Sequence, residues 1–182
     1  MKKIRVGING FGRIGRLVAR IMFERGNFEV AAINDLIDQK NPAKSVKFFA
    51  KLFEWDSVHG KFKGAVSSDE ARVTINGQTV DMLSCKAPEE IPWEKYDVDF
   101  VVEATGVFRK REQIEGHLKR GDRKVLLTVP SKDEIDATIV KGVNCGTLKK
   151  EHKLISNASC TTNCLAPVAH VLHRNFGIKY GF

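Results

Sequence analysis

Several features that would assign a chain to a particular class of protein are absent from this sequence. It has no run of eighteen apolar residues, so no membrane-spanning helix is expected. Its first residues do not form the apolar core of a secretory signal peptide, because Arg5 and a glycine-rich turn interrupt the run. We find neither an internal repeat nor a low-complexity segment. We therefore expect a cytoplasmic protein, whose 182 residues suffice for one well-buried domain or for one domain and the start of another.

Cysteines are few, and acidic residues are outnumbered. The four cysteines form neither a Cys-x-x-Cys motif nor a His/Cys metal spacing, so we expect reduced thiols and no metal site. Basic residues exceed acidic residues by 30 to 22, and the net charge of +8 attracts phosphorylated metabolites or nucleic acid. Since the basic clusters have no interleaved aromatic residues and no RNA- or DNA-reading motif, nucleic acid is the less favoured partner.

Glycines, in contrast, form one regular group near the start of the chain. Residues 3–8 have the apolar pattern of a strand, and Gly10, Gly12 and Gly15 follow at the spacing Gly-x-Gly-x-x-Gly. This motif alone is a weak signal that also occurs in ordinary glycine-rich turns. The next residues predict a helix, ended near Gly26, whose apolar stripe contains Ile14, Leu17, Val18, Ile21 and Met22.

A second strand strengthens the interpretation of this turn. Residues 28–33 are apolar and lead to Asn34 and Asp35, the latter twenty positions beyond Gly15. Strand, glycine turn, helix, strand and acidic residue together form a βαβ dinucleotide-binding fingerprint, with the pyrophosphate on the helix N-terminus. A carboxylate accepts hydrogen bonds from the ribose of NAD but repels the extra phosphate of NADP. The sequence therefore predicts NAD as the cofactor.

The rest of the chain predicts an α/β fold of the Rossmann type. Further strands are expected over residues 99–103, 124–129, 137–143 and 152–156, with a helix from Pro42 and another over residues 112–119 that ends near Gly121. Asn76-Gly77 predicts a β-hairpin. We expect a doubly wound, mostly parallel sheet with this hairpin as a small antiparallel appendage. Because ligands bind at the carboxyl ends of parallel strands, Thr105, Gly106 and Thr128 are expected to face the cofactor.

A second informative stretch follows the last of these strands. Residues 156–164 read Ser-Asn-Ala-Ser-Cys-Thr-Thr-Asn-Cys and lead into a helical pattern. Cys160 is thus expected at a helix N-terminus, where free N–H groups and the helix dipole stabilise a thiolate. The hydroxyls of Ser159 and Thr161 beside it could bind an oxyanion or a phosphate. Spacing alone equally allows an inert cysteine in a Ser/Thr-capped helix.

These motifs resemble those of the glyceraldehyde-3-phosphate dehydrogenase family from the first strand to the last residue. The matching segments are residues 6–16, 34–35, 56–60, 103–108, 130–133 and 159–167. The resemblance implies that Cys160 is the nucleophile that attacks an aldehyde, that Ser159 and Thr161 contact phosphate, and that the acyl group is released to inorganic phosphate. It also implies a set of NAD-binding residues: Asn9, Gly10, Phe11, Gly12, Arg13, Ile14, Asn34, Asp35, Thr105, Gly106 and Thr128.

Two positions depart from the family pattern. Lys86 stands where the family often has an arginine near the adenine, which keeps the charge but removes a planar stacking surface. The segment between Asp35 and Trp55 is also longer than usual. Chains of the family are nearly twice as long as this one, and the resemblance places the general-base histidine beyond Phe182. None of the five histidines present is expected to replace it; His170, for example, lies ten helical residues or about 15 Å beyond Cys160.

We therefore expect residues 1–157 to form an NAD-binding domain and residues 158–182 to begin a truncated catalytic domain, with weak or no turnover by this chain alone. The resemblance implies as partners a phosphorylated aldehyde, inorganic phosphate, and either copies of the same chain, as in the family's tetramer, or a complementary C-terminal fragment. Two alternatives stay open at this point. The substrate could be erythrose 4-phosphate, whose dehydrogenase shares the cysteine motif, or the chain could be a non-catalytic module that binds NAD or nucleic acid.

Overall fold

The computed structural model describes residues 2–119 and 122–181, and the helix end predicted near Gly121 lies outside them. The described residues form four α-helices: α1 (Arg13–Arg25), α2 (Pro42–Glu54), α3 (Arg111–Glu115) and α4 (Cys160–Phe176). Their strands are β1 (Ile4–Asn9), β2 (Phe28–Asn34), β3 (Trp55–Asp56), β4 (Gly60–Lys61), β5 (Val66–Ser68), β6 (Arg72–Ile75), β7 (Gln78–Leu83), β8 (Phe100–Glu103), β9 (Lys124–Leu127), β10 (Ala137–Thr138) and β11 (Leu154–Ser156). No helix in this part of the chain is both long enough and apolar enough to cross a membrane.

The main sheet confirms the predicted Rossmann-type α/β fold. Its nine strands lie in the order β10-β11-β9-β8-β1-β2-β7-β6-β5, and every pair from β10 to β7 is parallel. The hairpin predicted at Asn76-Gly77 joins β6 to β7 and brings antiparallel pairing to one edge. Both turn residues have the positive φ that this hairpin requires, +49° at Asn76 and +82° at Gly77. Because β7 also pairs with β2, the hairpin extends the main sheet.

The carboxyl ends of five parallel strands form one continuous row. Asn34, Asn9, Glu103, Leu127 and Ser156 are direct neighbours across the sheet, from β2 to β11. Each of these residues is the last of its strand. The segments that follow them therefore leave the sheet at the same edge, which brings the two predicted motifs to one side of the molecule.

An apolar core lies on each face of the sheet. On one face, α1 and α2 bury Phe11 and Phe53, whose rings stack with centroids 6.1 Å apart. Val46, Ala50 and Phe53 form the buried side of α2, which begins at Pro42 as the sequence predicts. On the other face, Trp93 is 1 % exposed and packs in a second core. Burial of one such large side chain contributes about 2–3 kcal/mol to folding.

Some elements are shorter than the sequence predicts, and local hydrogen bonds explain one of them. The strand expected over residues 137–143 ends at Thr138, because the side chain of Asn144 accepts a hydrogen bond from Val140 N and donates one to Thr138 O. These side-chain bonds compete with the strand ladder. The helix expected over residues 112–119 ends at Glu115, where Gly116 packs closely on the backbone of Glu89. The residues on either side of His59 form the short antiparallel pair β3–β4.

Candidate functional site

The glycine turn leaves the N-terminus of α1 open. Gly12 is the N-cap of α1, no side chain caps this terminus, and a Cβ placed on Gly12 would meet nothing within 4 Å. A Cβ on Gly10 would lie 2.6 Å from Thr105 N, and one on Gly15 would lie 2.0 Å from Gly10 O. Gly10 and Gly15 therefore permit close backbone packing, while Gly12 faces free space. The first N–H groups of α1 are available there for an anion.

A cleft of about 350 Å³ lies in front of this helix terminus and is called here the glycine-turn cleft. Its lining residues come from the ends of β1, β2, β7 and β8: Asn9, Gly10, Gly12, Asn34, Asp35, Leu36, Cys85, Lys86, Ala104, Thr105, Val107 and Phe108. The cleft combines an open helix N-terminus, a carboxylate at the end of β2 and apolar walls. This combination fits a dinucleotide such as NAD, with phosphate at the helix and ribose at the carboxylate.

Asp35 is held at the wall of the glycine-turn cleft by backbone donors. Its Oδ2 accepts a hydrogen bond from Phe11 N in the glycine turn, and its Oδ1 accepts one from Leu36 N at 2.7 Å. The carboxylate thus ties the turn to the end of β2 and still has free lone pairs. Its place is compatible with the predicted contact to a ribose.

Asn34 lies next to Asp35 but has a different setting. Its side chain is buried and donates to Asn9 Oδ1 at 2.8 Å and to Cys85 O at 3.0 Å. It also accepts from Cys85 N at 2.7 Å. Asn34 therefore joins the ends of three neighbouring strands, and it supports the cleft through these bonds.

The structure does not bring all predicted cofactor residues into the glycine-turn cleft. The side chain of Phe11 is fully buried in the core, and only its backbone faces the turn. Arg13 is exposed and pairs with Asp56 at 3.3 Å. Ile14 and Thr128 line a neighbouring cleft. Gly106, with φ +72°, has open space at its Cβ position.

The neighbouring cleft contains the predicted nucleophile and is called here the cysteine cleft. It measures about 650 Å³, and one end of it is formed by Thr128, Asn157, Ala158, Ser159, Cys160 and Asn163. Most of its remaining wall is apolar and comes from α1 and the strand face: Ile4, Val6, Ile14, Val18, Met22, Phe28, Phe100, Val102 and Leu126. Cys160 is exposed and is the first residue of α4, as predicted.

The turn that presents Cys160 is strained and heavily hydrogen bonded. Ala158 has φ +58°, which is unfavourable for a residue with a Cβ, and it is 5 % exposed. Ser156 Oγ accepts from Ala158 N at 3.0 Å and donates to Val129 O at 2.8 Å. Asn163 Nδ2 donates to Asn157 O at 2.6 Å and to Ser159 O at 2.9 Å. Sequence reasoning did not single out these three supporting residues, although all lie within the quoted motif.

The two hydroxyls beside Cys160 differ in their bonding. Ser159 Oγ accepts from Thr162 N at 2.9 Å and lies 2.7 Å from Thr162 Oγ1, so it acts as the N-cap of α4. Thr161 Oγ1 lies 4.0 Å from Cys160 Sγ. Substrate contact by either hydroxyl stays a prediction.

No histidine lines either cleft among the residues that the structure describes. His59 Nδ1 lies 3.1 Å from Asp56 Oδ1, so this histidine is engaged in a local contact outside both clefts. Backbone N–H groups of His59 and Val58 also bind this carboxylate and lower the pKa of Asp56. His117 is fully buried, and His170 and His173 lie along α4.

Burial changes the titration of two groups near the glycine turn. Burial raises the pKa of the Cys85 thiol, and the charge of Glu90 adds to this effect. A smaller fraction of Cys85 than of an ordinary thiol is therefore in the thiolate form, although this residue lines the glycine-turn cleft. Burial and the neighbouring Arg13 lower the pKa of Arg16, whose Nη1 donates to Phe11 O at 2.9 Å.

Comparison with known proteins agrees with this geometry. A family model for the NAD-binding domain of glyceraldehyde 3-phosphate dehydrogenase matches residues 4–111, and a model for its C-terminal domain matches residues 159–182. The chain is 50% identical over 179 residues to glyceraldehyde-3-phosphate dehydrogenase of Thermotoga maritima, 97% of this chain and 51% of that protein. It is 46% identical over 181 residues to the enzyme of Pseudomonas aeruginosa, 98% and 52% of the two chains.

A cytosolic form of this enzyme from Mesembryanthemum crystallinum is 45% identical over 183 residues, 100% of this chain and 52% of that protein. The chain spans about half the length of the curated relatives that it matches. Because a single family model covers more than half of the chain and coincides with the sheet and glycine turn described above, the chain belongs to the glyceraldehyde-3-phosphate dehydrogenase family and contains its NAD-binding domain.

Proposed function

We propose that this chain is the NAD-binding half of an enzyme that oxidises glyceraldehyde 3-phosphate to an acyl phosphate, with Cys160 as the nucleophile. One observation carries the proposal: the glycine-turn cleft and the Cys160 end of the cysteine cleft are both lined by residues that follow the same row of strand ends. A cofactor at the first cleft and an aldehyde at the second would therefore be neighbours. Family membership supports the same assignment.

In this proposal the N-terminus of α1 binds the pyrophosphate and Asp35 binds the adenosine ribose. Lys86 lines the same cleft and supplies a positive charge near the adenine end. Thr105 and Thr128 lie on the side where β8 and β9 end, and Gly106 keeps that wall open. When bound, NAD would supply the hydride acceptor.

Cys160 would form the covalent intermediate. Its thiolate attacks the aldehyde carbon to give a thiohemiacetal, loss of hydride leaves a thioester, and inorganic phosphate then attacks the thioester carbon. The C–S bond breaks in that last step, so the acyl phosphate leaves and the thiolate returns. The exposed position of Cys160 at the start of α4 supports this role, since the free N–H groups of the first helical turn favour a negative charge.

A base must take the proton of the cysteine or of the thiohemiacetal, and it must come within about 3 Å of it. No histidine lines the cysteine cleft in the described ranges, 2–119 and 122–181. We therefore propose that this chain alone binds NAD and carries a reactive thiol but turns over weakly or not at all. Copies of this chain or a complementary C-terminal fragment are the proposed partners, and the cytoplasm is the proposed compartment.

The first experiment measures NAD binding to the purified chain by isothermal titration calorimetry, with NADP as the comparison. Binding of NAD that is much tighter than binding of NADP supports the proposal, because Asp35 repels a 2′-phosphate. Asp35→Asn is the matched variant, and it should reduce the preference for NAD. Absence of NAD binding to the folded chain would contradict the proposed function.

The second experiment follows NADH absorbance after the chain is mixed with NAD, phosphate and glyceraldehyde 3-phosphate, and again with erythrose 4-phosphate. We expect no steady NADH production with either aldehyde. A turnover that disappears in Cys160→Ser would mean that a base is supplied from elsewhere and that the proposed inactivity of this chain is wrong. Iodoacetamide labelling of Cys160, faster than that of Cys164 on the same helix, would support its role as nucleophile independently of turnover.

A further inference from the structure

A hydrogen-bonded network of buried polar side chains connects the second apolar core, which contains Trp93, to the wall of the glycine-turn cleft. Trp93, His117, Glu103 and Asn9 are its members, and each is at most 1 % exposed. Trp93 Nε1 donates to His117 Nδ1 at 3.0 Å, and His117 Nε2 lies 3.1 Å from Glu103 Oε2. Asn9 Nδ2 donates to the same carboxylate oxygen at 2.6 Å. Such a buried network is costly unless every member is satisfied.

The indole fixes the protonation of the histidine. An indole N–H can only donate, so His117 Nδ1 must accept and carries no proton. The proton of the neutral ring is then on Nε2, which faces Glu103 Oε2 and donates to it. The hydrogen bond from Trp93 thereby fixes the tautomer of His117, in which Nε2 donates to Glu103.

Glu103 passes this constraint to the cleft. Its second carboxylate oxygen, Oε1, accepts from Thr105 N at 2.8 Å and also from Thr105 Oγ1. Thr105 Oγ1 in turn accepts from Val107 N at 3.1 Å. Thr105 and Val107 line the glycine-turn cleft, and Thr105 N would be the atom nearest to a Cβ on Gly10. With four donors on two oxygens, the orientation of the carboxylate is fully determined.

We propose that His117 and Trp93 are positioning residues for the glycine-turn cleft: acting through Glu103, they hold the 104–107 turn that forms one wall of the NAD site. Neither residue lines the cleft itself. Glu103 is the last residue of β8, is fully buried and uses both carboxylate oxygens, so a change at His117 reaches the cleft through the rotation of this carboxylate. The inference rests on the proposed function, because the position of this wall matters to NAD only if NAD binds there.

The test compares two substitutions of one residue in the full 182-residue chain. His117→Leu removes the donor to Glu103, whereas His117→Gln keeps an amide N–H close to the position of Nε2. Amide hydrogen exchange at Thr105 and Val107, followed by NMR without NAD, reports on the wall directly. Calorimetry reports the affinity for NAD.

We expect exchange at Thr105 in His117→Leu to be at least about tenfold faster and NAD affinity about tenfold weaker, the usual effect of losing one well-placed hydrogen bond. His117→Gln should restore both to within about twofold of the original chain. Trp93→Phe keeps an aromatic ring but removes the indole donor, and it should give an intermediate loss. This variant tests the same chain of bonds if His117→Leu does not fold.

Ile114→Val is the matched control. Ile114 is fully buried in the same core cluster, one turn before His117, and the substitution removes one methyl group without changing a hydrogen bond. It should lower the melting temperature but leave Thr105 exchange and NAD affinity unchanged. Equal effects of His117→Leu, His117→Gln and Ile114→Val would overturn the proposal, because the residues would then act only through core stability. If the original chain binds no NAD, the proposed function fails, and the exchange data alone decide whether His117 holds the wall.

Discussion

Gly12 and Gly15 of the glycine turn differ in the space available for the methyl group that an alanine substitution would add. A Cβ on Gly12 points into open space, whereas a Cβ on Gly15 would lie 2.0 Å from Gly10 O. We expect Gly12→Ala to leave the melting temperature unchanged and to weaken NAD binding, because the methyl group would occupy the place of the pyrophosphate. Gly15→Ala should lower the free energy of unfolding by about 1–3 kcal/mol through overpacking.

Differential scanning fluorimetry and calorimetric titration of the same two variants check this prediction. Gly26→Ala is a useful comparison, since Gly26 also has open space but lies at the far end of α1 with φ +71°. Gly26→Ala should lower the melting temperature without changing the affinity for NAD. Unchanged NAD affinity in a well-folded Gly12→Ala would argue against phosphate binding at this helix terminus.

Asp136 gives a prediction about acid stability. Burial alone would raise the pKa of its carboxyl group, but hydrogen bonds from Leu154 N and Lys153 N and the ion pair with Arg111 outweigh burial and lower the pKa to about 2. The unfolded chain titrates this group near its ordinary pKa of about 3.9. Its contribution to stability is therefore complete above about pH 4 and is lost as the pH falls to about 2.

We expect Asp136→Asn to lower the free energy of unfolding at pH 7 by about 1 kcal/mol, after allowance for solvent screening of a partly exposed group. The loss of stability between pH 4 and pH 2 should also become smaller than in the original chain. Urea unfolding at several pH values measures both effects. Glu70→Gln makes an equal change of charge at an exposed site and should leave the dependence of the unfolding free energy on pH unchanged. The same change of this dependence in both variants would contradict the assignment to Asp136.

At the scale of elements, the stability of α4 depends more on the capping of its N-terminus than on packing against the rest of the chain. None of its seventeen residues is buried, and Ser159 caps its N-terminus through Thr162 N. Loss of such a cap destabilises a helix by about 1 kcal/mol. We therefore expect Ser159→Ala to accelerate amide exchange in the first turns of α4 and to reduce helicity in far-UV circular dichroism.

Ser159→Asp is the control for the cap, because an aspartate at this position also accepts from the third helical N–H. Protection of the first turn should persist in Ser159→Asp. Equal protection in Ser159→Ala would mean that the 156–160 turn, with its bonds from Ser156 and Asn163, holds the helix without the cap.

For the whole molecule, exposed apolar surface on α4 determines whether the chain associates. Leu165, Val168, Leu172 and Phe176 repeat at helical spacing on α4 and are 64%, 57%, 45% and 83% exposed. The cysteine cleft adds an apolar wall beside this helix. Exposed surface of this kind promotes association. We expect the chain to associate in a concentration-dependent way in sedimentation velocity experiments.

Leu172→Glu combined with Phe176→Glu should shift the sedimentation toward the monomer. Arg174→Gln changes the charge of the same helix on the opposite side of the stripe and serves as the control. Association that is equally strong in the double variant would show that another surface mediates it.

The sequence alone determined the elements with strong local signals. The glycine spacing predicted the βαβ unit, because only glycine tolerates the contacts found at Gly10 and Gly15. Asn76-Gly77 predicted the hairpin, since its backbone needs two positive φ angles. Pro42 and Gly26 marked helix ends for the same reason: each restricts or permits a particular backbone conformation.

Only the tertiary structure decided which residues meet. The lengths of α3 and β10 depended on side-chain bonds and close packing that no periodicity records. The role of His117 could not be read from its neighbours in the sequence, because Trp93 and Glu103 lie 24 and 14 positions away and meet it only across the folded core. The sheet register placed Glu103 beside Asn9. Local patterns fix backbone conformation over a few residues, whereas contacts between distant strands follow from packing of the whole chain.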